Sequence, residues 1–535
     1  MQRFCALQMW LWLLLFGCVN AASPKVSIPN VGTVVGKIST FSADVALYNG
    51  IPYAKPPVKD LRWQPPVRFG PIGDNFNATT LGNQCMQVPK NISRPTAISE
   101  NCLFLNVAAP LVRQSSSLPV LVWIHGGAYV SGSSNEYTPD TIVARSSQSV
   151  VVVTLNYRLN IFGFLGSTQV AVHTSDGSAG NFGIQDQRMA MQWVKDNIAA
   201  FGGDAGSITI FGESAGGNSV FNHLAQPLSF SLYTRAIIES GVYNSGAFSM
   251  ATANKTYLGV LGATSSCSTL QCIAGLSAQH LLAVSVPFKW GPVVDQVNLK
   301  DTPEELITQG QYNNGAKVLM GSNRDEFAFW SISSVDKNLG EVGFDVTLLG
   351  LGVTREEVAE LKGLYNFSSG KYIYPGDIGN FSSWWWMLTR IATDAVPGLG
   401  ACGVRNIARK LVSGGTPSLY VYLFAHPSLS PNNHLPGCGP DAVTVAHATE
   451  IPYVFADYYI LDKGQEVSLA NDMSMYWLEF AKHGVPTGTV DWPEYDVHAD
   501  QLLRFDVKPV GTKVQFKARD VACNWMDKHR NLVRF

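Results

Sequence analysis

The chain reads Ile208-Thr209-Ile210-Phe211-Gly212-Glu213-Ser214-Ala215-Gly216 through the segment that decides its fold. The β-branched and aromatic residues at its start are typical of a buried strand, and residues 218–224 can continue as a helix. A strand that turns into a helix at Ser214 strains the backbone there, and the flanking glycines let the two elements approach closely. This pattern predicts a nucleophile elbow that exposes the Ser214 side chain. A plain glycine-rich turn is the competing interpretation, and the strand and helix on either side favour the elbow.

The composition of the chain narrows the classes of function. Its net charge is −2 and only 15% of its 535 residues are charged. Electrostatics therefore give no reason to expect a nucleic-acid partner or an anionic membrane. No linker, charge block or internal repeat divides the sequence. We expect one large domain over residues 23–535.

The N-terminus has the pattern of a secretory signal. Arg3 precedes the apolar run of residues 10–16, and the small residues Ala21 and Ala22 follow. This predicts a signal peptide over residues 1–22, which is too short to span a bilayer. The polar end Lys528-His529-Arg530-Asn531 has no lipid-anchor pattern. We therefore expect a secreted chain with no stable membrane anchor.

Cysteine usage fits an oxidising compartment. Nine cysteines are present, and two of them, Cys5 and Cys18, belong to the predicted signal. An odd number in the mature chain predicts disulfides and one leftover thiol. The sequence has no Cys-x-x-Cys or His-x-x-x-His pattern, and we expect neither a metal nor an organic cofactor. Sequons compatible with N-glycosylation occur at Asn77, Asn91, Asn254, Asn366 and Asn380.

Apolar runs elsewhere extend the strand at residues 208–211 into a sheet. Residues 120–125 and 150–155 are nearly continuous apolar runs, which is the pattern of central strands covered on both faces. Residues 187–194 are typical of a helix between strands. Further strand candidates lie at residues 236–240, 318–320 and 419–424. The alternation predicts an α/β fold with a large, mostly parallel central sheet flanked by helices.

Two regions depart from that alternation. Short runs at residues 32–38 and 45–48, broken by turn signals, predict an antiparallel edge of the sheet. The region from about Ala328 to Leu399 is helix-rich, and we interpret it as a helical cap inserted over the top of the sheet. We expect its aromatic run, residues 384–386, to pack in the core of the cap.

A catalytic serine needs a base, an acid that orients the base, and donors for the oxyanion. The segment Trp123-Ile124-His125-Gly126-Gly127-Ala128-Tyr129 ends a strand with two glycines, which leaves backbone N–H groups free as donors. The N–H of Ala215, at the positive end of the helix after the elbow, adds another donor. Two such turns at the same edge of a sheet favour an oxyanion hole over a pair of ordinary glycine turns.

Several residues compete for the roles of base and acid. His447, His426 and His434 are the leading candidates among ten histidines. Asp325 and Glu326 both follow a predicted buried strand, where a catalytic loop of an α/β sheet belongs. The order serine, acid, histidine along the chain is that of an α/β-hydrolase. From the residues alone, the choice among these histidines and carboxylates stays open.

Four further segments carry a resemblance to a known family. They are Tyr48-Asn49-Gly50-Ile51-Pro52-Tyr53-Ala54, Glu100-Asn101-Cys102-Leu103-Phe104-Leu105-Asn106-Val107, Asn156-Tyr157-Arg158 and Phe201-Gly202-Gly203-Asp204. Together with the elbow, they make the chain resemble the type-B carboxylesterases, which include cholinesterases, fungal lipases and secreted carboxylesterases. The resemblance extends from about Val34 to Trp525.

This resemblance implies an α/β-hydrolase fold and a role for each residue of the site. Ser214 is implied as the nucleophile, Glu326 as the acid and His447 as the base. Glu213 is implied as a residue that tunes the field of the site. The implied oxyanion hole consists of Gly127, Ala128 and Ala215.

The resemblance also implies disulfides and ion pairs. The disulfides that match the family are Cys85–Cys102 and Cys267–Cys272. Cys523 matches a third, for which Cys402 is the candidate partner and Cys438 the leftover thiol, with Cys402–Cys438 as the alternative. The implied ion pairs are Arg62–Glu100 and Arg158–Asp186.

Departures from the family pattern bear on the substrate. Cholinesterases bind choline on a Trp in the first disulfide loop, whereas residues 86–101 contain no aromatic residue here. The fungal lipases have a long lid at this position, and this loop is short. Two smaller departures are Asn101 in place of Asp and Ala128 in place of a third glycine. Because the first disulfide loop is short and lacks an aromatic residue, we expect neither a choline-ester specialist nor interfacial activation.

Phe288 and Trp290 are candidates for the acyl side of the pocket.

The sequence thus predicts a secreted serine carboxylesterase that hydrolyses a neutral ester of small or medium size through an acyl-enzyme on Ser214. Lipase-like activity on acylglycerols is the alternative within the same chemistry. A non-catalytic adhesion or binding ectodomain of the same fold is the rival from another class. Such relatives typically lose a member of the triad, and this chain keeps Ser214, Glu326 and His447.

Overall fold

The computed structural model describes residues 23–90, 94–112, 115, 117–243, 247–366, 381–428, 444–457, 460–461 and 464–529. The predicted signal peptide, the candidate base His434 and Cys438 lie outside these residues. The strands are β1 (Lys25–Ile28), β2 (Gly32–Val35), β3 (Lys37–Ile38), β4 (Val45–Pro52), β5 (Gly73–Asn77), β6 (Phe104–Pro110), β7 (Leu118–Ile124), β8 (Val151–Leu155), β9 (Gly203–Glu213), β10 (Arg235–Glu239), β11 (Phe248–Ser249), β12 (Val293–Val294), β13 (Lys317–Asn323), β14 (Leu419–Phe424), β15 (Gln501–Phe505) and β16 (Lys513–Phe516). The α-helices are α1 (Pro139–Arg145), α2 (Asn160–Phe164), α3 (Thr168–His173), α4 (Phe182–Asn197), α5 (Ala215–Leu224), α6 (Met250–Ala263), α7 (Leu270–Ala274), α8 (Ala278–Ser285), α9 (Pro303–Thr308), α10 (Ala328–Ser334), α11 (Glu341–Gly350), α12 (Arg355–Leu364), α13 (Ser383–Ala395), α14 (Ala401–Ser413), α15 (Ile451–Val454), α16 (Gln465–His483) and α17 (Asp520–Lys528).

One central sheet contains eleven strands in the order β16-β15-β14-β13-β10-β9-β7-β8-β6-β4-β3. Neighbouring strands run parallel from β15 through β8. The strands at both edges pair antiparallel. The strands predicted at residues 120–125, 150–155, 208–211, 236–240, 318–320 and 419–424 correspond to β7, β8, β9, β10, β13 and β14. The prediction of a mostly parallel central sheet is confirmed.

The predicted antiparallel edge is right in one part and wrong in another. β3 and β4 pair antiparallel at the edge of the central sheet. Residues 32–35 instead form β2 of a separate three-stranded sheet with β1 and β5. The chain passes from one sheet to the other at Gly36, where a Cβ atom would lie 2.5 Å from the carbonyl oxygen of Leu47. This close approach of two backbone segments leaves no trace in the apolar pattern.

Helices cover both faces of the central sheet. One apolar cluster contains Met191 of α4 and Phe221 of α5, and the other contains Trp477 of α16. The neighbouring β7 residues Val122 and Trp123 belong to opposite clusters, because successive side chains of a strand point to opposite faces. The sheet is therefore doubly wound, and the helix predicted at residues 187–194 lies within α4.

The predicted helical insertion lies between β13 and β14 and contains α10 to α13. In its aromatic run, Trp385 and Trp386 have exposed fractions of 0% and 1%. Their rings pack edge to face, and Trp385 stacks on Phe381. Trp384 packs against Phe344 of α11. The aromatic run belongs to the core of the insertion, as predicted.

Covalent and ionic contacts implied by the resemblance are present. The disulfides are Cys85–Cys102, Cys267–Cys272 and Cys402–Cys523. Arg62 and Arg158 form ion pairs of 2.7 Å with Glu100 and Asp186. Cys402 is therefore the partner of Cys523 rather than of Cys438. Within the described ranges, no helix combines the length and the apolar character that crossing a membrane requires.

Candidate active site

Ser214 occupies the corner between β9 and α5. Its backbone angles are φ 56° and ψ −123°, in the left-handed half of the map that costs a non-glycine residue energy. A Cβ atom on Gly212 would lie 2.6 Å from the carbonyl carbon of Gly216, and one on Gly216 would lie 1.9 Å from the carbonyl oxygen of Ile124. The first contact joins β9 to α5 and the second joins α5 to β7, and both close approaches require glycine. The strand–turn–helix geometry is that of a nucleophile elbow.

A cavity of about 870 Å³ opens onto Ser214. Its volume lies within the range of about 300–1,000 Å³ that is usual for small-molecule sites. His447 and Ala128 also line it. Aromatic side chains from two parts of the chain contribute to the wall: Phe288 and Trp290 from one, and Phe327 and Trp330 from the other. The cavity is thus mainly apolar and aromatic around a serine and a histidine.

The imidazole of His447 is held by Glu326. Nδ1 of His447 lies 2.6 Å from Oε2 of Glu326. The other carboxylate oxygen, Oε1, accepts hydrogen bonds from Ser240 Oγ at 2.5 Å and from the Asn323 N–H at 2.6 Å. Glu326 has an exposed fraction of 0%, so these contacts fix the carboxylate rigidly. A carboxylate in this position selects the tautomer of the imidazole with its proton on Nδ1.

The rival acid and base are engaged elsewhere. Asp325 forms an ion pair of 2.7 Å with Arg324 and one of 3.4 Å with Arg390 of α13. His426 lies 3.1 Å from Glu466 and is buried. His426 is not among the residues that line the cavity in the described part of the chain. The structure brings Glu326 and His447 together near Ser214, and it does not bring Asp325 or His426 there.

Glu213 contacts the second ring nitrogen of the same imidazole. Nε2 of His447 lies 3.1 Å from Oε1 of Glu213. Burial raises the pKa of Glu213 to about 7. Burial also lowers the pKa of His447, but the carboxylates of Glu213 and Glu326 outweigh it and raise that pKa to about 9. Among the described residues, Nε2 of His447 has no well-aligned hydrogen-bond partner. The base is therefore held between two carboxylates in this state, and it is not yet aligned on the serine.

Two further buried carboxyl groups lie behind the site. Burial raises the pKa of Glu239 to about 8, against a hydrogen bond of 2.7 Å from Trp477 Nε1. Burial and the neighbouring carboxylates raise the pKa of Glu450 well above its usual range. Burial thus favours the neutral form of both groups. The carboxylates that act on His447 are those of Glu213 and Glu326.

The predicted oxyanion donors lie at two turns beside Ser214. Gly127 and Ala128 follow β7 with φ values of 109° and 55°, which turn their N–H groups out of the strand ladder. A Cβ on Gly127 would lie 2.1 Å from the carbonyl oxygen of Ser131, so this turn requires glycine. Ala215 is the first residue of α5, where the N–H has no partner within the helix. Within the described ranges, no acceptor is bonded to the N–H groups of Gly127, Ala128 and Ala215.

The structure adds site residues that the sequence analysis did not single out. Tyr243 lines the cavity together with Ser214. Lys90 lines it from the first disulfide loop and donates to Ser131 Oγ at 2.6 Å. Trp330 lies with its ring centroid 5.2 Å from that of His447. The sequence could have indicated Tyr243, because this residue closely follows β10, at the same edge of the sheet as Ser214.

A doubly wound sheet with a serine at a strand–helix corner defines the α/β-hydrolase class. The family model described as the carboxylesterase family matches residues 22–524. The chain belongs to the carboxylesterase family and is a serine hydrolase that acts on carboxylic esters.

Curated relatives match nearly the whole chain. Mouse acylcarnitine hydrolase is 32% identical over 568 residues, covering 98% of this chain and 97% of the relative. Rat carboxylesterase 1D is 32% identical over 536 residues, covering 91% of each chain. Mouse carboxylesterase 1D is 31% identical over 537 residues, again covering 91% of each chain.

Proposed function

We propose that the protein is a secreted carboxylesterase whose catalytic triad is Ser214, His447 and Glu326. The observation that carries this proposal is the 2.6 Å contact of His447 Nδ1 with Glu326 Oε2 in the cavity that also exposes Ser214. A serine alone is a weak nucleophile, and a base oriented by a carboxylate is what activates it.

In acylation, His447 turns Nε2 from Glu213 towards the serine and accepts the hydroxyl proton. Ser214 Oγ attacks the ester carbonyl, and the electron pair of the C=O bond moves to its oxygen. The N–H groups of Gly127, Ala128 and Ala215 stabilise that oxyanion, each such donor being worth about 3–4 kcal/mol in one measured case. The tetrahedral intermediate expels the alcohol, which takes the proton from His447. The acyl group remains on Ser214.

In deacylation, a water molecule replaces the alcohol. His447 accepts a proton from the water as it attacks the acyl carbon, and the same N–H groups stabilise the second oxyanion. The bond between carbon and Oγ then breaks, and His447 returns the proton to Oγ. Glu326 holds the imidazole through Nδ1 and stabilises the imidazolium in both half-reactions.

The cavity supports an ester of small or medium size with an apolar part. Phe288 and Trp290 line it with their rings 6.2 Å apart, and we propose that they contact the acyl group. Because one relative bears the name acylcarnitine hydrolase, an acylcarnitine is a further substrate to test.

Secretion is part of the proposal. It is supported by the pattern of residues 1–22 and by three disulfides, which persist in oxidising compartments. We expect the full-length chain to be exported from a eukaryotic host with an N-terminus near Ser23. Recovery of the chain inside the cell with residues 1–22 still attached would overturn this part.

The test is a hydrolysis panel with the purified protein. It comprises p-nitrophenyl esters of rising acyl length, a choline ester, an acylcarnitine and an emulsified triacylglycerol. We expect short soluble esters to be cleaved, with kcat reduced about 10⁴-fold or more in Ser214→Ala. Ser285→Ala is the matched control, since Ser285 lines the same cavity and its hydroxyl donates to the Leu282 carbonyl. The proposal would be contradicted if Ser214→Ala hydrolysed these esters at an undiminished rate. It would also be contradicted if the folded wild-type protein hydrolysed none of them.

A further inference from the structure

Two lysines bring positive charge to the cavity that opens onto Ser214. They are Lys90, in the first disulfide loop, and Lys289, in a second segment of the wall. Both side chains are exposed. Among the described residues that line the cavity, none is an aspartate or a glutamate. The solvent-exposed part of a mainly apolar cavity is therefore cationic.

The ammonium group of Lys90 is held beside the oxyanion turn. Its Nζ donates to Ser131 Oγ at 2.6 Å, and Ser131 Oγ donates to the carbonyl oxygen of Gly127 at 3.3 Å. Ser131 is 7% exposed, so its hydroxyl is a fixed partner. Two hydrogen bonds thus connect Lys90 to the backbone turn that supplies the proposed oxyanion donors.

The segment before Lys90 is fastened to the same wall of the cavity. The side chain of Gln87 donates to the carbonyl oxygen of Gly132 and accepts from its N–H, both at 2.9 Å. The carbonyl oxygen of Met86 accepts a hydrogen bond of 2.6 Å from Asn160, which also lines the cavity. Lys90 is therefore placed by contacts of its loop as well as by its own hydrogen bond.

The charge of Lys90 is available to a ligand. It opposes the burial that raises the pKa of Glu136, but Lys90 forms no ion pair with a carboxylate in the part of the chain that the structure describes. The carboxylates of Glu213 and Glu326 contact the catalytic imidazole and do not line the cavity. An ammonium group has three donors, and Ser131 occupies one of them.

We propose that Lys90 is a specificity-determining residue, which binds a carboxylate on the alcohol portion of the ester substrate. This inference deepens the proposed function and rests on it. Phe288 and Trp290 are the proposed contacts of the acyl group, whereas Lys90 reaches the cavity from a separate loop, which leaves the alcohol portion as its partner. The preferred substrate is then an ester of a hydroxy acid rather than the neutral ester expected from the sequence.

The contact between Lys90 and such a carboxylate affects one half of the catalytic cycle. A hydrogen bond between an ammonium and a carboxylate is stronger than one between neutral groups, and apolar walls strengthen the attraction further. The alcohol leaves in acylation, so the acyl-enzyme no longer contains the carboxylate. Lys90 should therefore raise kcat/KM for a charged ester and leave kcat unchanged where deacylation limits turnover.

The experiment compares Lys90→Met with the wild type on p-acetoxybenzoate and p-acetoxybenzamide. The two esters share size and acetyl group and differ in charge. We expect the ratio of kcat/KM, charged over neutral ester, to fall about fivefold in Lys90→Met, the size of an ion pair that keeps contact with solvent. Lys90→Arg should retain the wild-type ratio, and added sodium chloride should lower that ratio by screening.

Lys289→Met is the matched control. Lys289 is an exposed lysine that lines the same cavity, and it has no hydrogen-bond partner among the described residues. Its ratio should stay within about twofold of the wild-type ratio, because it lacks the anchor that holds Lys90. An equal fall in both variants would show a diffuse positive field and would overturn the assignment to Lys90. An unchanged ratio in Lys90→Met, or a change confined to kcat, would also overturn it.

Labelling of Ser214 by a fluorophosphonate counts the folded, competent molecules, and rates are expressed per labelled site. A Lys90→Met variant that takes no label would show that Lys90 is a structural residue, which also overturns the proposal. Failure of the proposed function is distinguishable, because the wild type would then cleave neither ester or Ser214→Ala would cleave both, and the inference would fall with it. Failure of the inference alone leaves a wild type whose activity depends on Ser214.

Discussion

His447 lies between two carboxylates, with Nδ1 2.6 Å from Glu326 and Nε2 3.1 Å from Glu213. The imidazole must present a free Nε2 to accept the proton of Ser214, and in this state the same atom faces Glu213. Both carboxylates stabilise the protonated form of the base. Glu326 also orients the imidazole through Nδ1, whereas Glu213 faces the nitrogen that must accept the serine proton.

Replacing Glu213 should move the acidic limb of the pH–activity profile. Hydrolysis requires neutral His447, and the Glu213 carboxylate raises the pKa of that histidine. Glu213→Gln removes the negative charge, so the pKa of His447 falls and neutral imidazole persists to lower pH. We expect the acidic limb of kcat/KM to shift by about one pH unit towards acid.

The matched control for this shift is Glu239→Gln. Glu239 is buried behind the site, and the carboxylates that raise the pKa of His447 are those of Glu213 and Glu326, so this substitution leaves the pKa of His447 unchanged. Its acidic limb should coincide with that of the wild type. A shift of the Glu213→Gln profile towards alkali would contradict this role of Glu213.

The Glu326→Gln substitution should abolish most of the activity without unfolding the protein. The amide would present an N–H to Nδ1 of His447 and would favour the wrong tautomer. An equivalent substitution in another serine hydrolase lowers kcat about 10⁴-fold, and we expect a loss of that order here. The measurement is kcat on a short p-nitrophenyl ester, with the midpoint of thermal unfolding as the check on folding.

Glu450→Gln is the control for Glu326→Gln. It alters a buried carboxyl group of the same region whose pKa is raised well above its usual range. The group accepts a hydrogen bond from Asn323 Nδ2, which an amide oxygen can also accept. A loss of kcat in Glu450→Gln as large as that in Glu326→Gln would show that the effect is structural.

Gly216→Ala should destabilise the fold at the elbow. The added methyl group would meet the carbonyl oxygen of Ile124 at 1.9 Å, and neither backbone can move without disturbing the sheet. We expect the free energy of unfolding to fall by about 3 kcal/mol, measured by denaturant titration. Gly262→Ala on α6 is the control, because a Cβ there meets nothing within 4 Å. Equal stability of the two variants would contradict the close packing inferred at the elbow.

Removing the Cys402–Cys523 disulfide should cost more stability than removing Cys267–Cys272. The first spans 121 residues of chain and joins α14 to α17, and the second spans 5. Chain entropy in the unfolded state predicts losses of about 5 and about 2 kcal/mol. Paired Cys→Ser variants, compared by denaturant unfolding, measure the difference. The reverse order of stability would show that chain entropy does not dominate here.

The sequence alone predicted those features whose determining residues lie close together along the chain. The elbow depends on two glycines and one strand within nine residues, and its geometry at Ser214 is as predicted. The run at residues 384–386 was predicted to be core because large aromatic side chains pack inside, and Trp385 is fully buried.

Distant partners account for what the residues alone left open. The choice between Asp325 and Glu326 depends on Arg390, which lies 65 positions away and engages Asp325. His426 differs from His447 because a buried Glu466 on α16 faces it. Only the resemblance to a family pointed to the pair that the structure brings together. Tyr243 was missed because distant residues place it. The side chain of Asn218 donates to its carbonyl oxygen at 2.6 Å, and Gly398 packs against its Cα atom.

The most direct test of the central claim is to trap the acyl-enzyme and locate it by mass spectrometry. The protein is mixed with a p-nitrophenyl ester, quenched in acid and digested. We expect one acyl group per chain, on the peptide that contains Ser214, and none in Ser214→Ala. Hydrolysis without any acylated peptide, or with the acyl group on another residue, would contradict Ser214 as the nucleophile.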